Sequence, residues 1–427
     1  MIGWRAIIAA TLVTFGLGQP GMADDYLSGA SLYKDVARFA SFGSHRFGSE
    51  GDRATADWIA GELRAAGFSV EFQPVTLGRQ YHVERASVAV SDTTVEATPF
   101  WWPPQASFRL TAPVSRDGDV AGRILWIDLP YDRGAYLGPA HRAAIAQAAA
   151  RGPAAILLMI GNPADDRFAY NVTQEDAAWP VPVMVVAPKD KALFEHAVAT
   201  GAPVTIDVSG RYEQNVAGRN VVARLGAAAG SAIIVSTPMT GWYGCVCERG
   251  PGIANFLAMA RMIVAEKIPG NFIFVATAGH EIGHGGMELF LKSGAPPPLA
   301  TLAWLHFGSS NACYAWTTTP QGVVRSDHED DALRVLVLSP SAAALAGETF
   351  GAIKANRLIA EKEARGELRD VHAAGYRNFL GMAGLHRFFH TPGDDLRTTS
   401  PELLEPVARA FADTIRKIAA RREAAFK

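Results

Sequence analysis

From residue 220 to the C-terminus, apolar runs of strand length alternate with helix-length amphipathic runs, and this alternation restricts the chain to few architectures. Strands are expected at 220–225, 232–236, 271–278, 302–307 and 334–338, with helices at 253–265 and 401–421 among those that follow them. Strands joined by crossover helices pair in parallel and are buried on both faces. The expected fold class is therefore α/β, a mostly parallel central sheet with helices on both faces. Upstream, residues 29–75 read helix, helix, strand. The second helix places Ala54, Trp58, Ile59, Leu63 and Ala66 at helical spacing and stops at Gly67. Between 85 and 212 the pattern changes to short strands punctuated by Pro and Gly, a β-rich insert with one or two helices.

Composition narrows the class of function. The 427 residues are 49% apolar, which excludes wholesale disorder and fills a large core. Lys plus Arg number 40 against 42 Asp plus Glu, so no charge excess points to nucleic acid or to an anionic membrane as partner. Three cysteines are too few for a disulfide framework. The chain opens with Arg5, an apolar run over 6–18 and a small-x-small site ending at Ala23. That is the pattern of a signal peptide over 1–23, since the apolar run is too short to cross a bilayer. The expected mature protein begins at Asp24, is exported to the periplasm or secreted, and has no membrane partner after cleavage.

Ligands of open α/β sheets bind beyond the carboxyl ends of the strands. The segments after the expected strands carry the chemistry: Cys245, Cys247 and Glu248 after 232–236, the string Gly279-His-Glu-Ile-Gly-His284 after 271–278, His306 and Cys313 after 302–305, and His390-Thr-Pro-Gly-Asp394 near the C-terminus. His, Glu and Cys delivered to one rim by separate crossovers are the means by which distant sequence assembles a metal site.

In that order, these segments resemble the co-catalytic zinc aminopeptidase family, relatives of bacterial leucyl aminopeptidases and glutamate carboxypeptidases, in the version with an inserted protease-associated domain. The likeness covers nearly the whole mature chain. It implies a discontinuous peptidase-like domain over 24–84 and 213–427 and a protease-associated-like insert over 85–212. Phe42-Gly-Ser-His-Arg-Phe-Gly-Ser49 is similar to the family's Arg-x-x-Gly-Ser opening, and His390-Thr-Pro-Gly-Asp394 to its closing His-Thr-x-x-Asp. Elsewhere the chain departs from the pattern. The first His-x-Asp motif reads Pro238-Met-Thr240, and Asp-Asn-x-x-Gly reads Glu248-Arg-Gly-Pro-Gly252. The Glu-Glu pair reads His280-Glu281, and the Asp of the next strand reads His306.

The resemblance implies one zinc held by Glu248, Glu281 and His390, with His280 as the base that deprotonates its water. His306 is left for a second ion, if His284, Cys245 or Cys247 completes it. The implied activity is an exported zinc-dependent hydrolase acting on a peptide or small amide substrate, aminopeptidase-like. A glutaminyl-cyclase-like acyl transferase and a non-catalytic binding protein on the same fold are the alternatives, the last supported by simultaneous replacement of several ligands.

Residues 280–284 also spell His-Glu-x-x-His, which binds zinc only on a continuous helix. Gly279, Gly283, Gly285 and Gly286 oppose that helix, so a loop is expected. Cys313 either pairs with Cys245 or Cys247, or all three stay thiols. Asn171-Val-Thr173 fits a glycosylation acceptor, and Phe100-Trp-Trp-Pro-Pro104 reads as packing within the insert. N-terminal sequencing of the exported protein is expected to return Asp24 as its first residue; an intact Met1 on membrane-bound protein would show an anchor instead.

Overall fold

The computed structural model describes residues 25–226, 230–330, 332–362 and 364–427, so the expected signal peptide lies outside the described residues. Two helices, α1 (Gly29–Ala40) and α2 (Glu50–Ala65), each open on a serine whose hydroxyl accepts a hydrogen bond from a first-turn backbone N–H. They lead into β1 (Ser69–Val90), β2 (Thr93–Glu96), β3 (Thr98–Pro99), β4 (Phe108–Ser115) and β5 (Ile124–Leu129). Next come α3 (Pro139–Ala150), β6 (Ala155–Ile160), β7 (Val183–Val186), α4 (Lys191–Thr200) and β8 (Pro203–Leu225). The alternating half then runs β9 (Ala232–Pro238), α5 (Val246–Ala265), β10 (Asn271–Thr277), α6 (Gly285–Ser293) and β11 (Thr301–Phe307). A hairpin, β12 (Tyr314–Thr319) with β13 (Gly322–Glu329), precedes β14 (Arg334–Leu338), α7 (Ala343–Thr349), β15 (Asn356–Ile359), α8 (Leu368–Ala373), β16 (Phe379–Gly384) and α9 (Pro401–Arg421).

The central strands lie in the order β15-β14-β16-β11-β9-β10-β8. β10, β9, β11 and β16 are mutually parallel, so their carboxyl ends share one rim. β8 joins antiparallel to β10, and β14 antiparallel to β16. The expected α/β class is thus what the chain adopts. Because successive strand residues face opposite sides, β9 feeds two cores. Ile233 and Val235 join Phe256, Phe272, Phe274 and Phe411 on the face covered by α1, α5 and α9. Ile234 joins Val275, Phe290, Trp304 and Val337 on the face covered by α6 and α8.

Two features differ from the sequence reading. The segment 237–252, expected to be a long loop, becomes helix from Val246 onward despite Gly250, Pro251 and Gly252. Burial overrides their poor propensity. A Cβ at Gly252 would sit 2.9 Å from the carbonyl oxygen of Phe307, so its bare backbone is what lets α5 settle on the end of β11. The expected boundaries at 84/85 and 212/213 fall inside β1 and β8. These two strands pair antiparallel from Ser69↔Arg224 to Val90↔Val204, and β8 carries β4, the start of the insert's own strands, on its other side. The segments on either side of those expected boundaries therefore share one ribbon and one sheet.

Cys247, in the first turn of α5, is disulfide-bonded to Cys313 in the loop after β11, closing 66 residues, while Cys245 remains a buried thiol. Replacing both bonded cysteines by serine is expected to lower unfolding stability by about 2–4 kcal/mol. Denaturant unfolding under non-reducing conditions checks this, and an unchanged midpoint would mean the bridge carries no stability.

Candidate functional site

α5 begins without a side-chain cap of its own: Cys245, which precedes it, has a left-handed backbone (φ 35°) and caps nothing. Its first N–H groups are satisfied from far along the chain. Asp394 accepts from the backbone N–H of Cys247 at 2.8 Å and of Glu248 at 3.0 Å, and is itself held by the Thr398 hydroxyl at 3.0 Å. A carboxylate here also complements the helix dipole. Glu248 and Arg249 are thereby fixed in the opening turn, both buried.

The pair is not the exposed loop ion pair that sequence alone permits. Arg249 Nη2 stands 2.8 Å from Glu248 Oε1, and His390 Nε2 stands 3.3 Å from the same oxygen. None of these contacts is aligned as a hydrogen bond: both oxygens of Glu248, both terminal nitrogens of Arg249 and His390 Nε2 lack hydrogen-bond partners. Burial alone would raise the Glu248 carboxyl, but Arg249 and His390 outweigh it and hold it below the usual range, hence ionised. His390 Nδ1 lies 2.7 Å from the carbonyl oxygen of Ala169; since a carbonyl only accepts, Nδ1 carries the proton.

Glu281 is held elsewhere. The Phe47 backbone N–H donates to its Oε1 and the Thr240 hydroxyl to its Oε2, each at 2.7 Å, while Arg46 approaches to 4.0 Å. Thr240 in turn accepts from the backbone N–H of His280 at 3.1 Å. Burial raises the Glu281 carboxyl against these donors. His306 faces Ser236 Oγ through Nδ1 at 2.8 Å, and that hydroxyl also receives the Trp304 indole N–H.

Residues 280–284 form turns rather than helix, and α6 starts only at Gly285, so the His-Glu-x-x-His string lacks the continuous helix it would need. Each histidine in it is paired with a carboxylate from the segment opening α8. His280 Nδ1 lies 3.0 Å from Glu367 and His284 Nδ1 2.6 Å from Asp370, and the two imidazoles stack at 4.5 Å. Burial drives His280 well below its ordinary value and Glu367 up to about 8, so both members of that pair are neutral near pH 7. Thr277 donates to both oxygens of Glu367 at 2.9 Å.

Strained backbone gathers at this rim. Tyr243, Cys245, His284, Ser310 and His390 all have φ between 35° and 62°, a region costly for side chains with a Cβ. The stretch from Phe168 to Val172 lies directly on it. Ala169 N–H donates to the His390 carbonyl at 3.0 Å and Val172 N–H to the Glu281 carbonyl at 3.1 Å. Asn171 is buried, its Oδ1 accepting from the Trp242 indole at 2.9 Å, so in the folded chain the Asn-Val-Thr tripeptide is a packing element. Phe100, Trp101 and Trp102 are buried as well, Phe100 stacked on Trp101 at 4.6 Å.

Zinc needs three or more protein donors about 2 Å from one point. Among the described residues, no three His, Cys, Asp or Glu side chains form such a group. The structure brings Glu248 and His390 together. It ties Glu281 to Phe47 and Thr240, His306 to Ser236 and His280 to Glu367, and it sets a guanidinium against Glu248. The residues present do not fit the ion. Arg249, Glu367, Asp370 and Arg46 are the participants that sequence reasoning left out. Arg249 carried a signal in its place beside Glu248 and Arg46 in its place within the 42–49 motif; Glu367 and Asp370 carried none.

No protein-family model matches the sequence, and comparison with curated proteins finds no match. Among solved structures, the chain is similar to BSAP, a zinc aminopeptidase from Bacillus subtilis, with TM-score 0.68 and 14% identity over 94% of this chain and 99% of that one. It is also similar to an aminopeptidase from Aneurinibacillus sp. strain AM-1 (TM-score 0.61, 16% identity, 93% and 96% covered). A peptidase M28 precursor from Shewanella amazonensis SB2B gives TM-score 0.66 at 17% identity, with 92% of each chain covered. The chain has the fold of the zinc aminopeptidases. Among the described residues, no helix is long and apolar enough to cross a membrane.

Burial pushes His306 down to about 3, with Arg249 and His284 adding to the effect. An unfolded chain takes up this proton near 6.5, so the contribution of neutral His306 to stability is lost as pH falls from about 6.5 toward 3. Denaturant midpoints measured from about pH 7 to about pH 4 are expected to fall less steeply for His306→Asn than for wild type. Parallel profiles would show that His306 does not carry this dependence.

Proposed function

We propose that this protein is an exported binding protein on the zinc aminopeptidase fold, taking a peptide or small amide ligand at the carboxyl rim of its sheet without hydrolysing it. The observation that carries the reading is the disposition of Glu281. In the resemblance this residue is a metal ligand, yet both of its oxygens are occupied by fixed donors, and one of those donors, Thr240, stands where the related motif has an aspartate. Those donors fix the carboxylate against Phe47 and Thr240, and among the described residues it forms no three-donor group with Glu248 and His390. His280, the residue in the base position, meets Glu367 through Nδ1.

A second reading, a one-zinc hydrolase, has one observation in its favour. His390 donates through Nδ1 to Ala169 and turns Nε2 toward Glu248, and metal-ligating histidines are commonly held in this way by their other nitrogen. Elemental analysis of the purified mature protein, combined with release assays on aminoacyl and N-acyl amide panels, separates the two. The binding reading expects no stoichiometric zinc and no turnover, with or without added metal. About one zinc per chain, lost in His390→Ala together with hydrolysis, would establish the hydrolase.

A further inference from the structure

The geometry points to Arg249 as the built-in cation of this site: its guanidinium fills the space beside Glu248 and His390 that a shared metal would need, and so keeps zinc from that pair. The inference rests on the binding reading above and gives its cause.

Position is the first support. Arg249 is anchored in the opening turn of α5, which Asp394 and the Cys247–Cys313 bridge hold at the rim. Its side chain is buried and bends back so that Nε donates to the carbonyl oxygen of Thr240 at 2.9 Å. Nη2 then meets the Glu248 oxygen that His390 Nε2 also faces. One carboxylate oxygen thus has a cation on one side and an imidazole on the other. A metal shared by Glu248 and His390 would require the same space, with the guanidinium displaced.

The burial of its charge is the second support. The side chains of Arg249 and of Glu248, its partner at 2.8 Å, are each 1% exposed. A divalent ion brought beside it would meet repulsion in a setting too dry to screen it.

The third support is what Arg249 leaves open. Nη1 is buried without a hydrogen-bond partner and Nη2 has only its unaligned contact with Glu248, a cost that a fold sustains where a ligand or water completes the set. A guanidinium offers two parallel N–H donors to a carboxylate or carbonyl oxygen. Unlike a metal, it does not coordinate water and lower its pKa. Arg249 therefore equips the rim to hold an oxygen-bearing ligand group and leaves hydrolysis unsupported.

Zinc uptake by the full mature chain tests the inference, read by equilibrium dialysis and by the shift of melting temperature on adding zinc. Wild type and Arg249→Lys, which keeps the charge, are expected to take up no stoichiometric zinc. Arg249→Asn, which removes the cation and leaves an amide oxygen as a third donor beside Glu248 and His390, is expected to bind about one zinc per chain and to melt higher in its presence; His390→Ala in that background should abolish both effects. If Arg249→Asn is unfolded alone, zinc must restore its folding for the inference to stand. Arg249→Asn that gains no zinc, or is not rescued by it, overturns the inference and leaves the binding reading intact. Zinc bound by wild type and lost in His390→Ala overturns both.

Discussion

The rim is organised by one carboxylate, Asp394, at the amino end of α5. A helix that begins inside a protein exposes N–H groups that water cannot reach, and each must find a partner. Here the partner comes from a turn about 150 residues downstream, on a segment that also carries His386 and His390. His386 Nε2 lies 3.3 Å from the same Asp394, and its Nδ1 3.0 Å from the Ser310 hydroxyl, so the loop after β11 is drawn into the same knot. The Cys247–Cys313 bridge repeats the connection covalently. Glu248, Arg249 and His390 meet because three segments are tied at this point, and little side-chain freedom remains for any of them.

Much of the architecture was legible from period and length. The strand at 334–338 and the helix at 401–421 coincide with the observed elements, and the strands at 232–236, 271–278 and 302–307 fall within a residue or two. What escaped was set by tertiary contacts. A Gly-Pro-Gly run reads as a loop by propensity, yet 250–252 is helix because it is wholly buried against β11. The length of β1 and β8 was missed because much of their ribbon is solvated, leaving no apolar alternation to read.

The sequence placed its candidate residues at one rim but not their partnerships. Glu248, Glu281, His280, His306 and His390 all lie at the rim that strand order predicts. The pairing of His280 with Glu367 and of His284 with Asp370 could not be foreseen, since α8 is a short helix with no motif and its approach to the 280–284 turns depends on how β14 and β16 close the sheet. Arg249 illustrates the limit most directly. Next to a carboxylate in sequence it looks like half of a solvated pair, and only burial turns it into a fixed charge.

The ribbon of β1 and β8 has a mechanical meaning. Hinged domains swing about short, weakly bonded connections. Here the connection is a ladder of backbone hydrogen bonds from Ser69↔Arg224 to Val90↔Val204, interrupted by a single bulge at Val83/Arg85. Such a beam twists but does not fold back, and separating its two strands would break many bonds at once. The stretch from Phe168 to Val172 is buried and bonded to the rim through the backbone carbonyls of His390 and Glu281. Ribbon and buried stretch therefore brace the rim from two directions, and neither can shift without disturbing the other.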